Sequence, residues 1–256
     1  MTPNLRRLLF ETLYKNRYLY RFASTVPFAG QWRHWQQLVL TRIRGRDVLE
    51  LGSGLGDLLA DMLAAGYSCR AVEYSPQMVA AARATLKKRG LGQPAWVIQG
   101  SAQGLPFSSD SFDTVVSTFP SEYIYDPDTI AEVERVLRPG GRVIVIEGAN
   151  LLPVGYIQPL LVLLQMFVYG SRAVFGPRQR RDLDEEIVRS RRGADPAERI
   201  VRVDQETNTG ILTEELPDAW FGRLIPLERY GLRRRSERVR TRRWEVYITI
   251  GEKPPR

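Results

Sequence analysis

The segment RDVLELGSG, residues 46–54, constrains the fold more than any other part of the chain. It is an apolar run too short for a helix, and it ends in Gly52 and Gly54, with Gly56 two positions further on. Such a run reads as a buried strand entering a tight turn. GDLLADMLAAG (56–66) then places Leu58, Leu59, Met62 and Leu63 at helical spacing and closes on Gly66. YSCRAVEYS (67–75) reads as a second strand. SPQMVAAARATLKKRG (75–90) opens on Ser-Pro and ends in basic residues and Gly90, as capped helices do. Three further strands are predicted at AWVIQG (95–100), FDTVVSTF (112–119) and GRVIVIEG (141–148), with a helix over DTIAEVERVL (128–137) stopped by RPGG. Strands alternating with helices, and nearly continuous in apolar residues, predict an α/β chain: a doubly wound, mostly parallel sheet covered on both faces.

After Gly148 the pattern changes. LLPVGYIQPLLVLLQMFVYG (151–170) contains no charged residue and is long enough to raise the question of a membrane span. Pro153, Gly155 and Pro159 break its first half, and the unbroken run Leu160–Tyr169 is too short to cross a bilayer as a helix. A span would also separate the last elements from the sheet that they complete. The stretch therefore reads as an apolar helix that covers the acceptor pocket, dips into a membrane surface, or does both. Residues 178–202 are densely charged and read as an exposed helix or loop, 213–231 as a helix with its approach, and 232–252 as two strands joined by a short turn. The expected organisation is a basic helical arm or lid (1–45), a cofactor-binding core (46–148), an apolar then charged, largely helical insertion over the acceptor side (149–210), and a last helix and hairpin (211–256).

Charge and cysteine content narrow the function classes. Residues 1–46 carry nine basic side chains and one acidic, residues 47–170 a net −5, and residues 171–256 a net +5. The basic excess lies outside the core, which suits an anionic surface, nucleic acid or lipid, or simple solubility. One cysteine, Cys69, leaves no intramolecular disulfide and suits a reducing, cytoplasmic compartment, with contact at the inner face of a membrane as an open extension. One histidine and one cysteine argue against a His/Cys metal site, so no metal is expected. The N-terminus shows no apolar core followed by a cleavage site.

The glycine loop points to a ligand. Glycines at the end of the first strand let the backbone approach closely, with a helix N-terminus aimed at the bound group. Glu73 ends the second strand 21 residues after Gly52, where a carboxylate meets ribose hydroxyls. The loop reads GxGxG rather than the dinucleotide GxGxxG, and Glu50 stands two positions before Gly52. A carboxylate there would repel a pyrophosphate and suits a cationic ligand. S-adenosylmethionine has a sulfonium, an ammonium and a ribose, and no phosphate.

Four blocks, VLELGSGLGD, AVEYSPQMVAAAR, GSAQGLPFSSDSFDTVVSTF and EVERVLRPGGRVIVIEG, resemble the class I S-adenosylmethionine-dependent methyltransferases, in the group similar to the ubiquinone/menaquinone-biosynthesis enzymes. The resemblance covers about 46–148 and implies a Rossmann-like, seven-stranded sheet with an antiparallel last strand. It implies that Gly52, Ser53 and Gly54, with Gly56 completing the loop, line the methionine part of the cofactor. Glu50 would lie near the ammonium, Glu73 on the ribose, and Tyr74 and Met78 beside the adenine. Ser101 and Ala102 would meet the adenine edge, and Ser117 and Thr118 would end their strand beside the transferring methyl. Ser101 stands where the family usually has Asp, which weakens that hydrogen bond. FPSEYIYDP (119–127) lacks the histidine that many relatives carry, so no histidine role transfers.

Methyl transfer from a sulfonium needs a base only if the acceptor must lose a proton. Glu122, Tyr123, Tyr125 and His34 are the candidates, with the tyrosines equally readable as pocket walls and His34 as a packed residue. The arm places Leu5, Leu8, Leu9 and Leu13 on one face among basic residues, as a lid helix or a membrane-surface helix does. The resulting expectation is methyl transfer to a hydrophobic small molecule or lipid. An RNA or protein methyltransferase and a non-catalytic cofactor-binding protein are the alternatives. No Asp/Asn-Pro-Pro-aromatic motif follows the fourth strand and no RNA-binding module is visible, which argues against nucleic acid. The acceptor atom and the oligomeric state are not encoded in any motif of the chain.

Overall fold

The structure, a computed structural model, describes residues 21, 28, 30–91, 96–151, 200–204, 209–216, 224–241 and 243–256. The chain divides into two compact units: residues 1–147, 225–234 and 250–256 form the first, and 148–224 with 235–249 the second. In chain order the elements are α1 (Trp32–Gln37), β1 (Asp47–Leu51), α2 (Asp57–Ala64), β2 (Ser68–Glu73), α3 (Pro76–Lys88), β3 (Val97–Gln99), β4 (Phe112–Thr118), α4 (Pro127–Val136), β5 (Leu137–Leu151), β6 (Ile200–Asp204), β7 (Thr209–Glu215), β8 (Arg233–Arg240) and β9 (Trp244–Glu252). Short 3-10 turns occupy Glu122–Tyr125 and Glu228–Tyr230.

Hydrogen-bonded strands follow the order β3-β2-β1-β4-β5-β9-β8-β7-β6. The pairs β1–β2, β1–β4, β2–β3 and β4–β5 are parallel. The chain thus has the predicted Rossmann-like α/β sheet, mostly parallel, with an antiparallel last strand, β9, placed between β5 and β8. The order steps outward from β1 to β2 and β3, then returns to β4 on the other side of β1. That reversal is the topological switch point, where ligands of such sheets bind outside the carboxyl ends of the strands.

Local sequence explains the elements of the first unit. Ser75 accepts from the Met78 amide at 3.4 Å with Pro76 in the first turn of α3, and Asp126 accepts from the Asp128 amide at 3.0 Å with Pro127 opening α4. Behind them, Leu49, Leu51, Val115, Val143 and Val145 from the strands pack with Ile130 and Val133 of α4, all essentially without solvent exposure. Near-total burial is what apolar strands covered on both faces require. The helix α4 stops at Val136 as expected, but pairing begins at once: β5 starts at Leu137, and Arg-Pro-Gly-Gly falls in a register shift between the pairs Phe112↔Leu137 and Thr114↔Arg142. Cys69 is a buried core residue whose thiol is pushed up to about 12 by burial and by the neighbouring Glu50 carboxyl, so it serves packing.

In the second unit, β6 pairs antiparallel with β7 (Ile200↔Thr213, Arg202↔Ile211), and β7 with β8. The described end of the insertion is therefore strand, where the charge density had suggested a helix or loop. Apolar Ile200, Val201 and Val203 interleave with Arg202 and Asp204, a β-prone pattern that the neighbouring charges mask. Thr213–Glu215 likewise belong to β7, and Leu224–Leu227 carry no regular structure, while residues 217–223 of the expected last helix lie outside the described residues. The apolar stretch after Leu151 and the leucine face of the arm also lie outside them. Among the described residues, no helix is long and apolar enough to cross a membrane.

Candidate functional site

The site lies in the first unit, at the carboxyl ends of β1, β2 and β4. Gly52, Gly54 and Gly56 all adopt positive φ, at +74°, +52° and +75°. Gly52 is held by its amide donating to the Val72 carbonyl at 2.8 Å, and Gly56 by donating to Ser53 at 2.8 Å. A Cβ on Gly52 would lie 2.7 Å from the Tyr123 hydroxyl, and one on Gly56 2.9 Å from the Ala82 backbone. Both positions need glycine for conformation and for space.

Glu73 is buried, and both of its oxygens are engaged: Oε2 accepts from the Gly54 amide and Oε1 from the Ser75 amide, each at 2.9 Å. It ties the glycine loop to the start of α3. Each oxygen keeps a second lone-pair direction for a ligand hydroxyl. Beside it, Glu50 is 1% exposed and its Oε2 has no hydrogen-bond partner. Burial, reinforced by the negative charges of Glu73, Asp57 and Asp61, raises its pKa to about 8. The Ser53 hydroxyl, also buried, has no partner either. Two orphaned buried polar atoms, one near the end of β1 and one in the glycine loop that follows it, are the reverse of normal practice, since buried polar groups are almost always bonded. A ligand that brings hydrogen-bond donors and positive charge would satisfy both.

The remaining predicted positions distribute as follows. Gly100 donates to the Glu73 carbonyl at 3.1 Å, which brings Ser101 to the same edge. The Ser101 hydroxyl donates to the Gln103 amide oxygen, Gln103 reaches Asp126 at 3.1 Å, and Ala102 packs against the core. Met78 is fully buried with Leu55 and Ala81, whereas Tyr74 is 79% exposed and open to a ligand face. The Ser117 hydroxyl donates to the Leu51 carbonyl at 3.1 Å, and Thr118 Oγ1 accepts from Gln36 at 3.0 Å.

The four candidates for a base lie on α1 and on the segment that follows β4. The Tyr123 hydroxyl sits 2.8 Å from Ser117 Oγ and donates to the Leu51 carbonyl at 3.1 Å. It clamps the ends of β1 and β4 together. Tyr125 donates to Glu147 at 3.4 Å, and Glu122 lies exposed on the 3-10 turn. His34 is on α1, but that helix turns Gln36 rather than His34 toward Thr118. Among the described residues, no cluster of three His, Cys, Asp or Glu could hold a metal.

Sequence reasoning missed the partners that the arm brings. Asp61 on α2 accepts from Arg33 at 2.7 Å, Gln37 at 3.0 Å and Arg89 at 2.8 Å, and Asp57 pairs with Arg33 at 3.1 Å. Burial alone would raise the Asp61 carboxyl, but the hydrogen bonds from Gln37, Arg89 and Arg33 outweigh it and hold the pKa below the ordinary value. The bonds from Arg33 and Gln37 dock α1 against the helix that follows the glycine loop, and Arg89 at the end of α3 joins the same carboxylate. The only sequence signal for them was the i, i+4 pair Asp57 and Asp61 facing a basic arm.

Residues 49–145 match the family model described as a methyltransferase domain. A demethylmenaquinone methyltransferase of Mycobacterium marinum is 32% identical over 132 residues, covering 50% of this chain and 54% of that protein. Its counterpart in Lactiplantibacillus plantarum is 29% identical over 146 residues, covering 54% and 60%. The match spans little more than half the length of these curated relatives. Among solved structures, a methyltransferase of Thermotoga maritima described as a possible histamine N-methyltransferase aligns at 19% identity and TM-score 0.47 over 96% of this chain and 98% of that one. A Pyrococcus horikoshii protein aligns at 20% identity and TM-score 0.49 over 93% and 99%.

Proposed function

We propose that this chain, which carries a class I S-adenosylmethionine-dependent methyltransferase domain, transfers a methyl group to an apolar small-molecule acceptor, with a quinol-like ring as the favoured class. The observation that carries the cofactor half is the pair of buried, unpartnered acceptors, Glu50 Oε2 and Ser53 Oγ, beside a loop of three positive-φ glycines. The acceptor half is supported by the demethylmenaquinone methyltransferases that share the domain.

Bound S-adenosylmethionine supplies a methyl on a positively charged sulfur, already activated for in-line displacement. The chain's residues bind and orient. Glu50, ionised by the approach of a cation, and Ser53 take the ammonium. Glu73 keeps its backbone bonds and accepts ribose hydroxyls on its free lone pairs, while Tyr74 offers its ring to the adenine and Ser101 its hydroxyl to the adenine edge. Ser117 and Thr118 frame the open end of β4, where the acceptor approaches. Tyr123 acts by position, since its hydroxyl is already committed. Catalysis of this kind is proximity and exclusion of water, and effective molarities make those sufficient for a reactive donor.

The test is a calorimetric titration with S-adenosylmethionine at pH 8, followed by transfer of a labelled methyl to a panel of naphthoquinols and phospholipid amines. Saturable binding with labelling of a naphthoquinol is expected. Binding without transfer to any member of the panel would reduce the chain to a cofactor-binding protein.

A further inference from the structure

Beyond the residues assigned to the cofactor, the end of β4 carries a second construction. Phe119 follows Thr118 with φ at +51°, and among the described residues only Asp110 shares a positive φ without being glycine. Bulky side chains rarely adopt that region, and such conformations gather at functional sites. The conformation is held on one side by the Phe119 amide, which donates to the Ile146 carbonyl at 2.7 Å. On the other side the Phe119 ring stacks on Trp32 of α1, with centroids 4.0 Å apart and planes 30° from parallel.

Two further rings stand behind this pair. Phe28 lies 5.1 Å from Trp32 and 5.4 Å from Trp35, and Trp35 lies 6.3 Å from Phe119. Phe28 and Trp35 are buried, whereas Trp32 and Phe119 are left half-buried. The buried rings serve packing, and the other two present a surface. One turn along α1 from Trp32, Gln36 donates to Thr118 Oγ1, so the helix meets the end of β4 at two neighbouring points. A six-residue helix without a side-chain cap has no stability of its own. It stands here because Arg33 and Gln37 anchor it on Asp61 and Trp35 is sunk in the core.

We propose that the stacked Trp32–Phe119 pair is the aromatic wall of the acceptor subsite, against which a planar ring lies. The proposal rests on the reading above for its ring-shaped acceptor, and deepens it by naming the residues that select one. Thr118 marks the methyl-transfer end of β4, and the wall begins at the next residue. A wall of Trp and Phe offers large, rigid area and quadrupole-directed stacking to a flat π-system, which an acyl chain does not exploit.

The test is a tryptophan-fluorescence titration of the cofactor-saturated protein with 1,4-naphthoquinone, a planar quencher. Wild type should quench saturably. Phe119→Ala by quenching, and Trp32→Ala by calorimetry with 1,4-naphthoquinone, should each raise the dissociation constant tenfold or more while S-adenosylmethionine affinity stays within threefold. Trp32→Phe keeps a ring and removes the fluorophore, so it should bind with near-normal affinity and lose most of the quench amplitude. It also covers the case in which an alanine variant fails to fold. Absence of saturable quenching in wild type, or unchanged affinity in both alanine variants, or full amplitude in Trp32→Phe, would overturn the wall. Methyl transfer is scored separately: Trp32-dependent quenching with no methylation of a naphthoquinol would sink the proposed activity and support the wall.

Discussion

Replacing Glu50 by Gln should make the unliganded protein more stable and less sensitive to pH, while weakening its hold on the cofactor. In the folded chain the carboxyl stays protonated until about pH 8, whereas its ordinary value is 4.5, because burial and the charges of Glu73, Asp57 and Asp61 oppose ionisation. The folded state therefore binds more protons than the unfolded state between these limits. With that sign, stability falls as pH rises from 4.5 and levels off above about 8. Each pH unit in the window costs about 1.4 kcal/mol, so the group subtracts about 3 kcal/mol at pH 7. An amide removes that cost and adds a buried donor that lacks a partner, worth about 1–2 kcal/mol in the other direction. The net expectation is a gain of about 1–2 kcal/mol at pH 7. The slope is the cleaner quantity, because the amide's own burial does not vary with pH. Urea unfolding of the cofactor-free protein at pH 5.5, 6.5, 7.5 and 8.5 should show the wild-type stability falling relative to Glu50→Gln by about 1.4 kcal/mol per pH unit below pH 8, with the difference levelling off above it. Parallel curves throughout would mean that Glu50 is ionised in the folded state, and would refute the reasoning.

The same carboxyl should make cofactor binding release a proton. Calorimetry at pH 7 in buffers of different ionisation enthalpy should count close to one in wild type and markedly less in Glu50→Gln. Gly52→Ala should abolish measurable cofactor binding, since its Cβ meets the Tyr123 hydroxyl at 2.7 Å and φ is +74°; adding Tyr123→Phe removes the hydroxyl and should restore part of the affinity, which a purely conformational penalty would not allow. Asp61→Asn loses charge-assisted bonds from partly exposed arginines, so unfolding should show a loss of about 1 kcal/mol that shrinks in high salt. Lys253→Met should cost about 2 kcal/mol in thermal unfolding, because its ammonium donates to the Glu134 and Leu137 carbonyls at the end of α4, each at 2.8 Å.

The parallel core was legible because its signals are local. The Ser-Pro cap, apolar runs and glycine turns each act within a few residues, so reading them in order recovers β1 to β5. Glu50 and Glu73 were legible for the same reason, being placed by their spacing from the glycine loop. The arm's contribution was not. Gln36 and Thr118 are 82 residues apart, and nothing in either says that they will meet. Phe119 was hidden differently. It precedes Pro120, a context that favours extended backbone, and no glycine marks its positive φ. β6 and β7 were hidden by composition, since acidic and basic residues around Ile200–Asp204 suggest a solvated helix until a partner strand supplies the other half of the ladder. Tyr123 shows the limit of residue type as a guide: its place after β4 suggested chemistry, and its two hydrogen bonds give it a joint to hold.

Glu73 has a kinetic consequence. Its carboxylate is fixed by the Gly54 and Ser75 amides before any ligand arrives. The rotamer freedom of a Glu side chain, about 1.5–2 kcal/mol, is thus surrendered during folding rather than during association. On the proposed reading, a ribose would meet a rigid receptor that needs no search among conformers. Differences in affinity among variants of this loop should then appear mainly as changes in residence time, with the rate of capture nearly constant.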